Sequence, residues 1–217
     1  MADIATEQLP LRERKKLRTR QALIDTALDL FTERGFDNTT LDELCEAVEI
    51  SKRTFFRNFS SKEAVAMAPL QDMWAAFLRN LEHRECRGIT VLEMLQDALI
   101  STVEAIADDG WTQRAARSHR LAQDTPSMGA HNLQFCDQTS RNTLVVLRRM
   151  LDLGDDSDVR PRLALDILIA AFHCALDTWT SHPAGSTTPT LTADLRQAFA
   201  ATPGALTMTA KPRIMSD

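Results

Sequence analysis

Hydrophobic residues recur along the chain with the spacing of α-helices rather than of β-strands. In the N-terminal part, Leu23, Ala27, Leu30 and Phe31 follow the i, i+4, i+7, i+8 pattern of one helix face. Comparable stripes continue as far as Phe199, and no stretch has the strict alternation of a half-buried strand. The pattern predicts an all-α fold of about nine helices.

Capping residues mark the ends of the first helices. Thr40 is followed three residues later by Glu43, and Ser60 by Glu63, which is the capping-box pattern. Gly35 supplies a left-handed stop of the kind on which helices commonly end. These signals predict helices at about 13–34, 41–48 and 52–58, and a fourth from about 61.

The predicted helices fall into two groups. The first three make a small bundle whose second and third members form a helix-turn-helix, whereas the later helices are longer. We therefore predict an N-terminal helix-turn-helix domain over 11–62 and a C-terminal helical domain over 63–202. Residues 1–10 and 203–217 are expected to be disordered.

Composition is that of a soluble intracellular protein. The chain has 44% hydrophobic and 25% charged residues, and its four cysteines include no close pair, as in reduced cytoplasmic proteins. The N-terminus lacks the apolar core of a signal peptide. The most apolar stretch, 163–179, contains Asp166, His173 and Asp177 and falls short of a membrane span. We expect a cytoplasmic location and no membrane partner.

Positive charge is concentrated in two places, although the net charge is -5. One is 12–20 and the other is "ISKRTFFRNFSSKE" (50–63), which has four cations and three phenylalanines. In the helix from 52, Phe55 and Phe59 point into the core and leave the cations outside, near a helix N-terminus that is itself positive. This arrangement predicts a recognition helix in the major groove of DNA. The alternative is a solvated basic face without a partner.

Residues 12–65 resemble the DNA-binding domain of the tetracycline-repressor (TetR) family. Four motifs match the family pattern in order and spacing: Gly35-Phe36, Thr39-Thr40, Ser51-Lys52-Arg53-Thr54-Phe55-Phe56 and Ser61-Lys62-Glu63. The resemblance implies a homodimer that binds a palindromic or near-palindromic double-stranded DNA operator.

The resemblance also implies which residues contact DNA. Those in the N-terminal extension and at the starts of helices two and four would contact the backbone, and those of the recognition helix would read bases or support that reading. They are Arg14, Lys15, Arg18, Thr39, Thr40, Ser51, Lys52, Arg53, Thr54, Phe56, Arg57 and Lys62. Phe56 stands where the family usually has Tyr, so a hydroxyl-to-phosphate bond is missing. Glu49 stands where the family often has Gly, in a turn that favours positive φ.

The second domain carries no comparable motif. The family's counterpart dimerises through its last long helices and often encloses a ligand, so the resemblance implies that 63–202 is a ligand-binding and dimerisation domain. The candidate ligand-binding residues lie on helices that would surround a cavity: Trp74, Phe77, Met94, Leu95, Trp111, Arg114, His119, Phe135, Phe172 and His173. Ordinary core packing is the alternative for each. The candidate dimer residues are Leu165, Ile169, Phe172, Leu176, Leu195 and Phe199, since the helix at 160–181 is apolar on nearly all sides.

An enzyme is not expected. G-x-S-x-G, H-E-x-x-H and C-x-x-C are absent from the sequence, and its seven glycines are isolated. No cofactor or metal is expected. The sequence favours a repressor released from its operator by a lipophilic small-molecule effector. The alternative is a regulator of the same family without such a ligand, either constitutive or protein-regulated, and acting as a repressor or an activator.

Overall fold

A computed structural model describes residues 10–85, 88–106, 110–155, 157–182 and 185–210. Within these ranges the chain forms nine α-helices and no strand, which confirms the predicted all-α fold. The helices are α1 (Leu11–Arg34), α2 (Leu41–Ala47), α3 (Lys52–Phe56), α4 (Lys62–Glu82), α5 (Val91–Ile106), α6 (Trp111–Asp124), α7 (Pro126–Met150), α8 (Arg160–Thr180) and α9 (Thr188–Thr207).

The first three helices close around a shared apolar core. Phe31 of α1, Leu44 of α2 and Phe55 of α3 are buried there, and the ring of Phe59 lies 6.0 Å from that of Phe55. A helix as short as α3 is not stable alone, so this core holds it in place. The face predicted to point inward is the one that is buried.

The ends of α1 follow from local chemistry. Its N-cap is Pro10, whose carbonyl accepts from Glu13 and Arg14 at 2.9 and 3.1 Å, so the basic segment 12–20 is continuous helix. At the other end Gly35 has φ 87°, in the region that favours glycine. Residues 1–9, which were expected to be disordered, lie outside the described residues.

Two capping boxes were predicted, and one of them is present. The backbone N–H of Thr40 donates to Glu43 Oε2 at 2.7 Å, and the N–H of Glu43 donates to Thr40 Oγ1 at 3.2 Å. The Glu43 carboxylate also accepts from Thr40 Oγ1 at 2.8 Å, and the two hydrogen bonds that it receives from the Thr40 backbone and hydroxyl lower the pKa of Glu43. The prediction for Ser60 was wrong, because α4 is capped by Ser61, whose Oγ accepts from the N–H of Ala64 at 3.2 Å.

Helix α4 connects the N-terminal bundle to the rest of the chain. It packs against α1 on one side and against α5, α6 and α7 on the others, while α8 and α9 pair with each other and cover α5. Its residues 64–70 are all buried. The helix continues through Pro69, whose carbonyl accepts a hydrogen bond from Trp111 Nε1 at 3.1 Å.

The residues predicted for a dimer seam lie mostly inside the chain. Leu165, Phe172, Leu176, Leu195 and Phe199 are buried in the core of the single chain, and Ile169 is half-buried against it. Their side chains are thus not free to meet a partner, which corrects the sequence-based assignment. Much of the apolar periodicity of α8 therefore reflects packing within the chain.

Two further expectations need correction. Helix α9 continues through Pro203 to Thr207, so 203–207 is ordered helix, while 211–217 lies outside the described residues. By length and composition α8 is apolar enough to cross a membrane, with mean hydropathy 1.3, contrary to the expectation for 163–179. The most apolar part of α8 is 44% buried inside the bundle, as in core helices of soluble proteins. The length and composition of α8 are therefore weak evidence for a membrane span.

The turn between α2 and α3 generates a stability prediction at Glu49. Glu49 has φ 55°, and the N–H groups of Glu49 and Ile50 donate to Glu46 and Cys45 at 3.0 and 2.9 Å, the Schellman arrangement that glycine suits. We expect Glu49→Gly to relieve roughly 1–2 kcal/mol of strain, partly offset by about 0.4–1 kcal/mol of unfolded-state entropy. Urea denaturation should show equal or higher stability.

The matched control is Glu46→Gly, which makes the same exchange within α2. Glycine in a helix interior is less favourable than alanine by roughly 0.5–1 kcal/mol, so this variant should be less stable than the parent. A loss of stability in Glu49→Gly as large as that in Glu46→Gly would contradict the strain at residue 49.

Candidate DNA-binding surface and internal cavity

The recognition helix α3 is held by its own first residues. Ser51 Oγ accepts from the N–H of Thr54 at 3.2 Å and lies 3.1 Å from Thr54 Oγ1. Both hydroxyl groups therefore support the helix start. Phe56 is 56% exposed and packs edge-on against Phe55, so its ring remains available to a groove.

The cations of α3 differ in their partners. Lys52 Nζ lies 2.8 Å from Asp42 Oδ1, an ion pair on the exposed surface. Arg53 and Arg57 are exposed, and neither has an ion pair in the described part of the chain. Their guanidinium groups are thus free to meet an anionic partner, and a guanidinium can bind guanine or phosphate through two hydrogen bonds.

A basic cleft of about 380 Å³ separates α1 from α3. Arg12, Lys15 and Lys16 line one wall, and Arg57 and Asn58 line the other. Spacings of three and four residues place the three α1 cations on one helix face. Sequence reasoning named Lys15 but omitted Arg12 and Lys16, which the same helical spacing would have identified.

Two of the predicted α1 contacts lie elsewhere. Arg14 and Arg18 share a face with each other but are about half a turn of helix away from the cleft face. Arg14 is half-buried, and its Nε is buried without a hydrogen bond, while Arg18 is exposed. The cleft does not bring these two side chains together with α3.

Thr39 and Lys62 stabilise the helix-turn-helix domain itself. Thr39 is fully buried, and its hydroxyl donates to the carbonyl of Gly35 at 3.0 Å, so its side chain does not reach the surface; only Thr40 is exposed there. Lys62 Nζ donates to the carbonyls of Phe36 and Thr39 at 2.9 and 2.7 Å and lies 4.5 Å from the ring centre of Phe36. This ammonium joins α4 to the turn before α2.

A separate cavity of about 330 Å³ lies in the C-terminal domain. Five of the predicted ligand-binding residues line it, namely Trp74, His119, Phe135, Phe172 and His173. The rings of Trp74 and Phe172 meet edge to face with centroids 5.1 Å apart. The aromatic wall is therefore built from α4, α7 and α8.

One corner of the cavity is polar. Asp177 Oδ1 lies 2.8 Å from His119 Nε2 and accepts from Gln123 Nε2 at 2.9 Å. Burial lowers the pKa of His173, His119 lowers it further, and Asp177 opposes this shift, so His173 is neutral at physiological pH. Asp177 was not among the predicted residues, although its position four residues after His173 placed it on the same helix face.

The remaining predicted cavity residues have other surroundings. Phe77, Met94 and Leu95 are enclosed in the core and do not line the cavity. Trp111 is buried with its indole N–H bonded to Pro69. Arg114 faces α1 instead, with its guanidinium 3.8 Å from Asp25.

Ion pairs connect the two domains at the same interface. Arg117 of α6 lies 2.7 Å from Asp29 of α1. Arg20 of α1 binds the Asp72 carboxylate of α4 through both guanidinium nitrogens, at 2.6 and 2.9 Å. The helices α4 and α6 that line the cavity are therefore also those that hold α1.

Comparison with known proteins gives a consistent result. The family model for bacterial regulatory proteins of the tetR family matches residues 23–68. The HTH-type transcriptional regulator TcmR of Streptomyces glaucescens is 34% identical over 177 residues, which are 78% of this chain and 76% of TcmR. Relatives of this kind are transcriptional regulators and not enzymes.

Solved structures share the fold at lower identity. SmeT, a repressor from Stenotrophomonas maltophilia, superimposes in its complex with triclosan with a TM-score of 0.55 at 19% identity, covering 87% of this chain and 91% of SmeT. A TetR-family regulator from Syntrophomonas wolfei gives a TM-score of 0.56 at 18% identity, covering 88% of this chain and 98% of that protein.

The contacts of Lys62 lead to a prediction about stability. In Lys62→Met the stem is kept but the two carbonyls lose a charged donor, which we expect to cost about 1–3 kcal/mol of unfolding free energy. Urea denaturation followed by circular dichroism measures this. The control is Lys16→Met, which replaces an exposed cation of α1 and should change stability little. Equal effects of the two substitutions would contradict the inference that Lys62 joins α4 to the turn before α2.

Proposed function

The chain belongs to the TetR family of bacterial regulatory proteins, and we propose that it is a homodimeric repressor that leaves its operator when a largely apolar molecule fills the cavity. Members of this family are soluble, cytoplasmic DNA-binding regulators, typically repressors, and they bind DNA as dimers. What remains specific to this chain is how it reads DNA, where it dimerises and what releases it.

The observation that carries the DNA-binding proposal is the exposed, unpaired guanidinium of Arg53 on the first turn of α3. The helix is anchored through Phe55 and capped by Ser51, so Arg53 projects from a fixed base. We assign Arg53 to base reading, with Lys52 beside it, and the cleft cations Arg12, Lys15 and Lys16 to phosphate contacts.

Dimerisation is assigned to the outer face of α8 and α9. Leu163, Ile167, Ala170, Cys174 and Thr178 form a stripe along α8 at spacings of three and four residues, and this stripe is exposed or half-buried in the single chain. On α9, the exposed residues of the corresponding face are mostly small: Ala193, Gln197, Ala200 and Ala201. Small residues let helices approach closely, which suits a four-helix seam between two copies.

Release is assigned to movement of α4 and α6. A ligand in the cavity touches residues of both helices, for example Trp74 on α4 and His119 on α6. The same helices hold α1 through Asp72 and Arg117. A shift of either helix would therefore change the position of the helix-turn-helix domain. This would alter the separation of the two recognition helices in a dimer.

The proposal is tested by binding the purified chain to a labelled duplex from upstream of its own gene, beside a scrambled duplex, at two salt concentrations. Arg53→Ala should cost about 1–3 kcal/mol on the preferred sequence and relax that preference. Lys15→Ala should weaken binding to both duplexes and reduce the salt slope by about one. If both variants lose affinity equally on the two duplexes, α3 contacts only the backbone.

The same duplex tests the effector. Lipophilic compounds that raise the melting temperature of the protein should also release the duplex. Stabilising compounds that leave the complex intact would favour the alternative of a regulator that does not respond to a small molecule.

The dimer assignment predicts a difference between two exposed leucines. Leu163→Arg, on the α8 stripe, should shift the protein from dimer to monomer in analytical ultracentrifugation, because it places a cation in an apolar seam. Leu133→Arg, on α7 where the leucine is 74% exposed, should leave the dimer intact. Retention of the dimer in Leu163→Arg would place the interface elsewhere.

A further inference from the structure

The cavity combines an aromatic wall with unused hydrogen-bonding groups. Trp74 and Phe172 meet edge to face, and Phe135 stands in the same lining. Such a wall offers both ring faces and ring edges, which are the surfaces that another aromatic ring contacts best. At about 330 Å³ the cavity is at the small end of the range for ligand pockets, so its occupant is compact.

Two polar groups in the lining have free bonding capacity. Asp177 Oδ1 is occupied by His119 and Gln123, whereas Oδ2 has no hydrogen bond among the described residues. The half-buried imidazole of His173 also has no hydrogen-bond partner there, and its ring contacts Phe172. The His173 imidazole is half-buried, so a ligand that bonds to it restores a hydrogen bond that burial removes, whereas the Asp177 side chain is 60% exposed and its Oδ2 is accessible to a donor group of a ligand.

The charge of the lining restricts the ligand further. Asp177 is the one acidic side chain among the described residues that line the cavity, and none of those residues is Lys or Arg. His119 and Gln123 already bind the Asp177 carboxylate and hold it in the corner. A ligand anion placed beside Asp177 would meet a like charge and no compensating cation of the lining, a repulsion that the 60% exposure of this side chain weakens but does not reverse in sign.

We propose that the effector is a compact aromatic molecule, neutral or cationic, whose hydroxyl or amine group donates a hydrogen bond to Asp177 Oδ2 beside His173, with its rings against Trp74, Phe135 and Phe172. This inference rests on the proposed function, because it names the chemical class of the molecule that fills the same cavity. It separates aromatic alcohols and amines from fatty acids and from acyl thioesters of coenzyme A, which are also lipophilic but carry anionic carboxylate or phosphate groups.

The test uses four naphthalenes that differ in one substituent: β-naphthol, β-naphthylmethylamine, methyl β-naphthyl ether and β-naphthoate. Binding to the full chain without DNA is measured by isothermal titration calorimetry. We expect the naphthol and the amine to bind, the ether to bind about 10-fold more weakly because it cannot donate, and the naphthoate to bind more weakly than the ether. Dodecanoate serves as the lipophilic anion without rings.

Asp177→Asn is the decisive variant, because an amide keeps the shape and an acceptor oxygen but removes the charge. It should weaken the naphthol about 10-fold and the amine by at least as much, and it should reduce the discrimination against the naphthoate. Asp124→Asn is the matched control, an exposed carboxylate at the end of α6 that does not line the cavity; it should leave all affinities unchanged. Thermal melts verify that both variants fold.

Three outcomes would overturn the inference: tighter binding of the naphthoate or dodecanoate than of the naphthol, naphthol affinity that is equal in Asp177→Asn and the parent, or no binding of any naphthalene. Operator release is read separately with the labelled duplex. Naphthol binding without release would contradict the proposed release mechanism and leave the ligand class intact. Release by dodecanoate and not by naphthol would contradict the proposed ligand class and leave the release mechanism intact.

Discussion

Seven consecutive residues of α4, from Ala64 to Leu70, are buried, and their packing determines how the helix-turn-helix domain and the cavity are joined. Successive residues of a helix point about 100° apart, so a run of this length is enclosed on every side. Three of the seven are alanines, and their small side chains let α1, α6 and α7 approach the helix closely. Because protein interiors are packed as densely as crystals, α4 cannot shift without repacking both the helix-turn-helix domain and the cavity.

Charged residues are arranged differently on the two sides of α1. Acidic residues on the inner side of α1 are matched by cations of the second domain, as in Asp29 with Arg117. Exposed pairs of this kind contribute little stability one by one, but they set how α1 lies on α4 and α6. On the opposite side Arg53 has no ion pair among the described residues, and the cleft brings the cations Arg12, Lys15 and Lys16 together with a single acid of its lining, Glu13. A chain of net charge -5 thereby presents a local basic surface.

Helix α8 takes part in three different environments. Leu165 and Leu168 fill the core, His173 and Asp177 reach the cavity, and Ala170 lies in the exposed stripe assigned to the partner. These sets occupy neighbouring sectors of one helix. The cavity is therefore close to the proposed seam as well as to α4, and the overall apolar character of α8 has a cause other than a membrane.

Features that depend on neighbours within one or two helical turns could be predicted from the sequence. The all-α fold, the ends of α1 and α2, the cap at Ser51, the positive φ of Glu49 and the basic exposed face of α3 all follow from such local chemistry. Each is set by hydrophobic spacing, capping hydrogen bonds or backbone sterics, which a linear pattern records. The family motifs occur in the same segment for the same reason.

Which side of a helix meets which neighbour depends on the packing of the folded chain and could not be predicted from its sequence. Lys62 bonds carbonyls 26 and 23 residues away, and His119 meets Asp177 across 58 residues; periodicity does not specify such partners. Thr39 looked like a surface hydroxyl but is buried, and Leu165 looked like a partner contact but belongs to the core. Apolar spacing shows that a face is covered, whereas the element that covers it is decided by the packing of the whole chain.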